Sequence, residues 1–268
     1  MRLNTLLGTI IKGNCIDILN KNIPENTINL IFADPPYNLS GKNLNLINNK
    51  TGGAYYKMNE DWDRFTYEEY ISFTNGWLKS CYRVLPVNGS LYISCTQHNI
   101  GEILIAAKSI GYKLNNILTW YKVNAMPNIT KRTYTHSTEF VLWFVKGKNW
   151  IFNYNDVKKF NPHKTKEGNN KQMRDFLDFI EIPIVQGKER IKNGNGRAVH
   201  PTQKPEKLLE LIILASSNIN DIVLDPFFGT GTTGKVAEEL NRKWIGIEIN
   251  EHYILAARER LRLAQQAL

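Results

Sequence analysis

IVLDPFFGTGTTGKVAEELN, residues 222–241, is the stretch from which the fold is read. Ile222, Val223 and Leu224 form a short apolar run that suits a strand covered on both faces. The run stops at Asp225-Pro226, and Gly229, Gly231 and Gly234 lead into KVAEELN, which reads as the opening of a helix. A strand that turns through glycines into a helix is the repeating unit of a doubly wound sheet, and ligands gather at such turns. The glycines let backbone approach a ligand closely, and the helix start favours an anionic group such as an amino-acid carboxylate. The next strand, WIGIEI at 244–249, ends at Glu248, roughly 20 residues on, where an acid can accept hydrogen bonds from both ribose hydroxyls. A nucleotide-phosphate loop is the competing reading, but Thr232 follows Gly231 where a P-loop places its lysine. Glycines, helix start and late acid together suit a nucleoside without phosphates.

Outward from this turn, strand signals appear at 28–33 (INLIFA), 90–95 (SLYISC), 114–122 and 139–145 (EFVLWFV). Helical signals alternate with them. Tyr70, Ile71, Thr74, Trp77, Leu78, Cys81, Tyr82 and Leu85 make a mostly apolar stripe at helical spacing, ended by Pro86 and Asn88-Gly89. Residues 205–216 and 250–263 read as two more amphipathic helices. The alternation predicts an α/β protein with a doubly wound, mostly parallel sheet. Two stretches break it: 39–61, polar and rich in Asn and Gly, and 153–197, basic with scattered Gly and Pro. Unstructured connections of that length in a compact domain are usually functional or disordered.

A second motif, Asp34-Pro35-Pro36-Tyr37, stands where INLIFA ends. The proline pair fixes two φ angles and supplies no N–H, which stiffens the turn and makes its carbonyls fixed acceptors. A carboxylate beside a rigid carbonyl can hold both hydrogens of an exocyclic NH2 and aim the nitrogen lone pair at an electrophile. Tyr37 offers a flat face for a base taken out of its stack. An ordinary proline-rich turn at a strand end accounts for these four residues about as well.

At 268 residues the chain suits one domain with a substantial insertion. Its 42% hydrophobic and 11% aromatic content is ordinary for a soluble protein. No window resembles a membrane span, and MRLNTLLGTIIKGN lacks the pattern of a secretion signal, so a cytoplasmic location is expected. Cys15, Cys81 and Cys95 are odd in number and lack CxxC spacing, and the five histidines show no ligand spacing. Neither a disulfide framework nor a bound metal is expected. The net charge of +9 is concentrated: 121–204 holds sixteen Lys/Arg against seven Asp/Glu, and the remainder of the chain has eighteen of each. One basic segment on a neutral scaffold is the footprint of a module that follows a phosphate backbone, although a solvated basic surface has the same composition.

With both motifs in view, the chain resembles the amino-methyltransferases of bacterial restriction-modification systems, in the β order where DPPY precedes the cofactor motif. The resemblance runs from about Gly13 to Leu261 and includes Asp61-Trp62-Asp63, Thr135-His136-Ser137-Thr138-Glu139 and HPTQKPE at 200–206. It is closest to the short adenine enzymes of GATC and GANTC systems, among them the DpnII-system enzyme that accepts single-stranded DNA. The resemblance implies a Rossmann-like fold dependent on S-adenosylmethionine, a single methyltransferase domain over 1–268, a target-recognition insertion at 153–197 and an active-site loop at 39–61. It implies methyl transfer to adenine N6 after base flipping, with cytosine N4 and a catalytically silent DNA-binding homologue as alternatives. Direct transfer is expected, because a base-carbon methyltransferase needs an attacking thiolate in a Pro-Cys pair and this sequence has none.

By the same resemblance Asp34, Pro35, Pro36 and Tyr37 grip the target amine. Phe227, Gly229, Gly231 and Thr232 line the methionine part of the cofactor, with Asp34 and Asp225 beside them, and Glu248 holds the ribose. Lys204 lies near the cofactor carboxylate. Asn14 and Cys15 stand at the cofactor adenine, where the family usually has Gly-Asp-Cys and this chain has Gly13-Asn14-Cys15. Trp62, Lys131, Arg132, Lys171 and Arg174 are the residues expected at DNA, single- or double-stranded. His136 and His200 are expected to be structural, and Trp244 and Tyr253 core. A homodimer and a cognate restriction endonuclease are the protein partners the family allows. Its larger GANTC members carry a C-terminal DNA-binding extension; this sequence ends at Leu268, so recognition is expected from the insertion and loops.

Overall fold

Leu30, Ile31, Phe32 and Ala33 are all buried, as a strand covered on both faces requires. The computed structural model describes residues 2–4, 7–39, 61–128, 131–178 and 180–266, so the expected loop at 39–61 lies outside the described residues except at its ends. The first half contains β1 (Arg2–Asn4), β2 (Gly8–Lys12), α1 (Cys15–Asn22), β3 (Leu30–Ala33), a 3-10 turn at Asp61–Asp63, α2 (Tyr67–Val84), β4 (Ser90–Cys95) and α3 (Ile100–Ile110). After these come β5 (Lys113–Tyr121), β6 (Thr138–Val145), α4 (Tyr154–Val157), α5 (Glu206–Ser216), β7 (Ile222–Asp225), α6 (Thr232–Glu239), β8 (Lys243–Glu248) and α7 (Glu251–Gln266).

The strands form one sheet in the order β1-β2-β8-β7-β3-β4-β6-β5. Its centre, from β2 through β4, is parallel, and β1, β6 and β5 add antiparallel pairs at the two sides. Alternate side chains serve opposite faces: Leu30 and Phe32 join a core with α5, α6 and α7, while Ile31 and Ala33 join one with α1, α2 and α3. Local chemistry sets the helix ends. Thr66 and Glu69 form a capping box at the start of α2, and Gly111, at φ 113°, ends α3.

The basic stretch 153–197 is not the free loop its composition suggests. Leu177, Ile180, Ile182 and Val185 are buried, and Leu177, Ile180 and Ile182 join the main core. The backbone of Thr119 on edge strand β5 bonds Asp175 O at 2.7 Å and receives Leu177 N at 2.9 Å. Trp120 Nε1 donates to Ile182 O at 2.6 Å. The segment therefore covers an edge that would otherwise expose unpaired backbone groups.

Candidate active site

Strands β3 and β7 are neighbours, yet the chain leaves β3 toward β4 on one side and β7 toward β8 on the other. This topological switch point leaves a crevice at the carboxyl ends of the two strands. Asp34 follows β3 and Asp225 ends β7, so both motifs meet there. A cavity of about 320 Å3 opens between them, lined among others by Asn14, Asp34, Lys204, Phe227, Thr232 and Glu248.

On the β3 side, both oxygens of Asp34 are engaged. Tyr37 Oη donates to Oδ1 at 2.8 Å, and Lys204 Nζ donates to Oδ2 at 2.8 Å. Tyr37 Oη also lies 2.8 Å from Ser94 Oγ at the end of β4. Burial, reinforced by the charge of Asp34, pushes the Tyr37 phenol well up, so it stays a proton donor. The Tyr37 ring has little of the open face expected from the sequence: it is 8% exposed, and Lys204 Nζ stands 5.3 Å from its centroid. Pro35 and Pro36 line the cavity. The turn is held from outside by buried Asp63, which accepts Asn38 N at 2.7 Å and Leu39 N at 2.8 Å.

On the β7 side, Asp225 accepts Phe227 N at 2.9 Å and Thr233 Oγ1 at 2.5 Å. Burial pushes its carboxyl up to about 7 despite these bonds, with Asp34 and Glu248 adding repulsion. Glu248 accepts Gly229 N at 2.7 Å, Ile249 N at 2.9 Å and Asn250 N at 2.8 Å. Of roughly four acceptor sites on a carboxylate, three are used by backbone N–H groups, two from its own loop and one from the glycine turn after β7, so the expected grip on both ribose hydroxyls is reduced in capacity. Gly229 lines the cavity at φ 50°. Gly231 is not among the lining residues; at φ 80° it is the N-cap of α6, where a Cβ would meet Ala257 at 3.1 Å. Phe227 lines the cavity with its ring edge-on to Trp77 at 5.4 Å.

Asn14 and Cys15 reach the cavity from β2 and α1. Asn14 Oδ1 caps α1, accepting Ile16 N at 2.9 Å and Asp17 N at 3.4 Å. Asn serves an N-cap as well as Asp does, so the capping of α1 is kept with Asn at this position. Burial pushes the Cys15 thiol up to about 12.

The HPTQKPE stretch joins the two halves, which the sequence alone did not specify. His200 lines the cavity between Trp62, whose ring centroid is 5.9 Å away, and Tyr253, at 4.6 Å. Burial first, then Lys204 and Arg190, lower its imidazole to about 3, so it is neutral and Nδ1 accepts Thr202 N at 3.2 Å. Gln203 ties back to Glu189 O and Ile191 N. Lys204 bonds Asp34 and lines the cavity together with Gly229 and Thr232 of the glycine loop. Glu206 pairs with Lys235 of α6 at 2.8 Å and Arg260 of α7 at 2.6 Å, and Arg260 also donates to Thr232 Oγ1 at 2.8 Å. Arg260 and Ser94 carry no motif signal on their own helix or strand, and Glu206 closes the HPTQKPE motif without a role assigned to it from the sequence. Tyr253 is buried yet also lines the cavity, while Trp244 is core, stacked on Phe228 at 5.2 Å.

The residues expected at DNA are less closely grouped. Trp62 is at the cavity. Lys131 and Arg132 are exposed in the crossing from β5 to β6, which is tied to the turn after β4 by Gln97 Nε2 and His136 Nδ1 at 2.9 Å. Lys171 and Arg174 are exposed on the segment covering β5, and Arg174 pairs with Asp178 at 3.1 Å. Part of the basic excess is structural: Lys122 pairs with Glu139 at 3.2 Å, and Arg190 bonds Val185 O and Pro201 O.

The charges of the cavity decide what it suits. Among its described lining residues are three acids, Asp34, Asp225 and Glu248, against a single Lys or Arg, Lys204. A phosphate-bearing cofactor would meet repulsion there, whereas a cationic nucleoside would not. A family model for N6/N4 DNA methylases matches residues 28–259. The Type II methyltransferase M.HinfI of Haemophilus influenzae is 40% identical over 263 residues, covering 97% of this chain and 70% of the relative. The crystal structure of the M1.HpyAVI–SAM complex superposes with a TM-score of 0.67 at 28% identity, covering 95% of this chain and 99% of that one. The PvuII DNA methyltransferase, described as cytosine-N4-specific, shares the fold with a TM-score of 0.71 at 20% identity, covering 98% and 93% of the two chains.

Proposed function

The chain belongs to the N6/N4 DNA methylase family and is an S-adenosylmethionine-dependent DNA methyltransferase, and from that premise we propose that it methylates N6 of adenine. The observation that carries the amine-methylating part of this reading is the state of Asp34. Its carboxylate is held from behind by Tyr37 and Lys204 at the lip of the cofactor cavity. So held, Asp34 and the Pro35 carbonyl receive the two amine hydrogens and aim the nitrogen lone pair inward. S-adenosylmethionine supplies an activated methyl group on a positively charged sulfur. Phe227, Gly229, Thr232 and Asp225 line its methionine part, Glu248 takes a ribose hydroxyl, and Asn14 and Cys15 border its adenine. Lys204 acts on Asp34 and lies in the same cavity as the cofactor's carboxylate. Gly231 contributes by turning the chain into α6.

The transfer is direct. Cys15, in the cavity lining, is pushed up to about 12 and is no nucleophile near neutrality, and Cys81 and Cys95 are buried. The segment 153–197 and the β5–β6 crossing serve target recognition, with Lys131, Arg132, Lys171 and Arg174 on phosphates and Trp62 beside the extruded base. The setting in a restriction-modification system and the choice of adenine rest on the sequence resemblance, above all on the acid that heads Asp34-Pro35-Pro36-Tyr37; cytosine enzymes more often begin this motif with Ser. Cytosine N4 is the second reading, because the same grip serves any exocyclic NH2 and the family includes both kinds of enzyme. Digesting methylated DNA to nucleosides and weighing them decides: N6-methyladenine is expected, and N4-methylcytosine as main product overturns the assignment.

A further inference from the structure

Glu139 is the second residue of β6, with a side chain 18% exposed. Its Oε1 accepts Lys122 Nζ at 3.2 Å. Its Oε2 is buried and has no hydrogen-bond partner. Lys204 Nζ lies 3.8 Å from that oxygen, within ion-pair range but too far for a hydrogen bond. The same ammonium is 2.8 Å from Asp34 Oδ2, and its side chain is 6% exposed. One buried cation thus stands between two carboxylates, bonded to one and a movement of roughly 1 Å from bonding the other. Leaving a buried carboxylate oxygen unbonded is costly, and such groups in native structures call for an explanation.

We infer that Glu139 is a second seat for the Lys204 ammonium, taken when Asp34 loses its charge during the reaction. The inference rests on the reading of Asp34 as the group that grips the target amine. As the N–CH3 bond forms, the methyl's former bonding pair stays on the cofactor sulfur and the amine becomes a positively charged ammonium. Its N–H bond then breaks, the electron pair remains on nitrogen, and the proton passes to Asp34 Oδ2. That oxygen is occupied while Lys204 donates to it. Moving the ammonium to Glu139 Oε2 frees its lone pair, and Lys204 keeps its own protons throughout. Glu139 is accordingly a positioning residue that acts through Lys204.

The charged and titratable groups around this arrangement are Asp34 and Tyr37 after β3, Cys95 ending β4, Lys122 beyond β5, His200 on the stretch that carries Lys204, and Asp225 ending β7. Burial opposes the Lys204 charge, but Asp34 and then Glu139 outweigh it and hold the ammonium above its ordinary range.

The test uses the full chain with DNA and S-adenosylmethionine. Asp34→Asn imitates the neutral state of Asp34, and its crystal structure is expected to show Lys204 Nζ within hydrogen-bond distance of Glu139 Oε2. Glu139→Gln is expected to lower kcat on the order of 10- to 100-fold with both KM values nearly unchanged, as for a small misplacement at a reacting centre. It should also bring the alkaline limb of kcat to lower pH, because one charge holding the Lys204 proton is gone. Glu139→Asp, which keeps the charge, should recover part of kcat. An unmoved Lys204 in Asp34→Asn, or a Glu139→Gln enzyme that keeps its parent kcat, overturns the inference. Asp34→Ala measured alongside separates the two readings: full turnover there sinks the assignment of Asp34 itself.

Discussion

Asp225→Asn should remove a pH dependence of cofactor binding centred near neutrality. Burial, with repulsion from Asp34 and Glu248, pushes the Asp225 carboxyl up to about 7 from an ordinary 3.8, against the bonds from Thr233 and Phe227 that pull it down. The free protein therefore holds this carboxyl about half protonated at neutral pH. S-adenosylmethionine carries a positive sulfur, and a cation in the cavity favours the ionised carboxylate, so binding releases a proton. Below about pH 7 affinity should rise with pH, approaching about 1.4 kcal/mol or tenfold per unit, and then level off. A complete return to the ordinary value would give at most about 4 kcal/mol; half of that is still roughly 30-fold.

Calorimetry in two buffers of different ionisation enthalpy counts the protons directly. The cofactor's own α-amino group also titrates, near about 8, so the difference between parent and Asp225→Asn isolates the carboxyl. Equal slopes and equal proton counts in the two proteins would refute the reasoning. The same shift predicts the sign for stability. A carboxyl whose folded value is raised contributes stability that is full below its unfolded value and is lost as pH rises through about 7. The parent should therefore lose more stability than Asp225→Asn between pH 5 and pH 8.

Lys204→Met breaks a buried ion pair and leaves Asp34 with only the Tyr37 hydroxyl among its described donors, so it should cost about 3–5 kcal/mol in urea unfolding; a loss below about 1 kcal/mol would mean that the pair behaves as an exposed one. Glu248→Ala removes the acceptor of three backbone N–H groups together with the proposed ribose contact, and calorimetry should show S-adenosylmethionine weakened by about 1–3 kcal/mol. An unchanged dissociation constant would place the ribose elsewhere. Replacing Lys131, Arg132, Lys171 and Arg174 together should flatten the salt dependence of DNA binding by about one unit of slope per lost phosphate contact. Arg174 is already paired with Asp178, so it should contribute least, and an identical slope would show these charges to be merely solvated.

The central strands and the helices α2, α5, α6 and α7 are legible in the sequence because their burial is written locally, as the continuous run of 30–33 or the stripe of α2. Strands β1 and β2 were not, since Gly8–Lys12 is only partly buried and becomes a strand by pairing with β8, more than two hundred residues away. Helix α3 is not legible in the sequence although Gly111 closes it, because Ile100–Ile110 is apolar around much of its circumference and gives little period. The anchoring of segment 153–197 is not legible in its composition, because the buried residues that hold it, among them Val157, Leu177, Ile180, Ile182 and Val185, are scattered among its charges without a period. At the site, both motifs were found at their strand ends. The partner of Asp34 was not, because Lys204 lies 170 positions away, where only the fold brings the two together.

That distance explains how two unrelated turns become one site. The sheet's switch point sets Asp34 and Asp225 side by side with Glu248, an arrangement that like-charge repulsion and burial both oppose. Lys204 relieves Asp34 most directly, since it bonds that carboxylate; Glu248 is met by three backbone N–H groups and Asp225 by one N–H and a hydroxyl. The residual acid excess is unfavourable in the free protein and becomes favourable once a cation occupies the cavity. A neutral or anionic ligand of the same shape gains nothing from that change. The site therefore selects a sulfonium-bearing cofactor by a difference in charge, and residues that lessen the acid excess, such as Asp225→Asn, should narrow the gap in affinity between S-adenosylmethionine and its neutral-sulfur product.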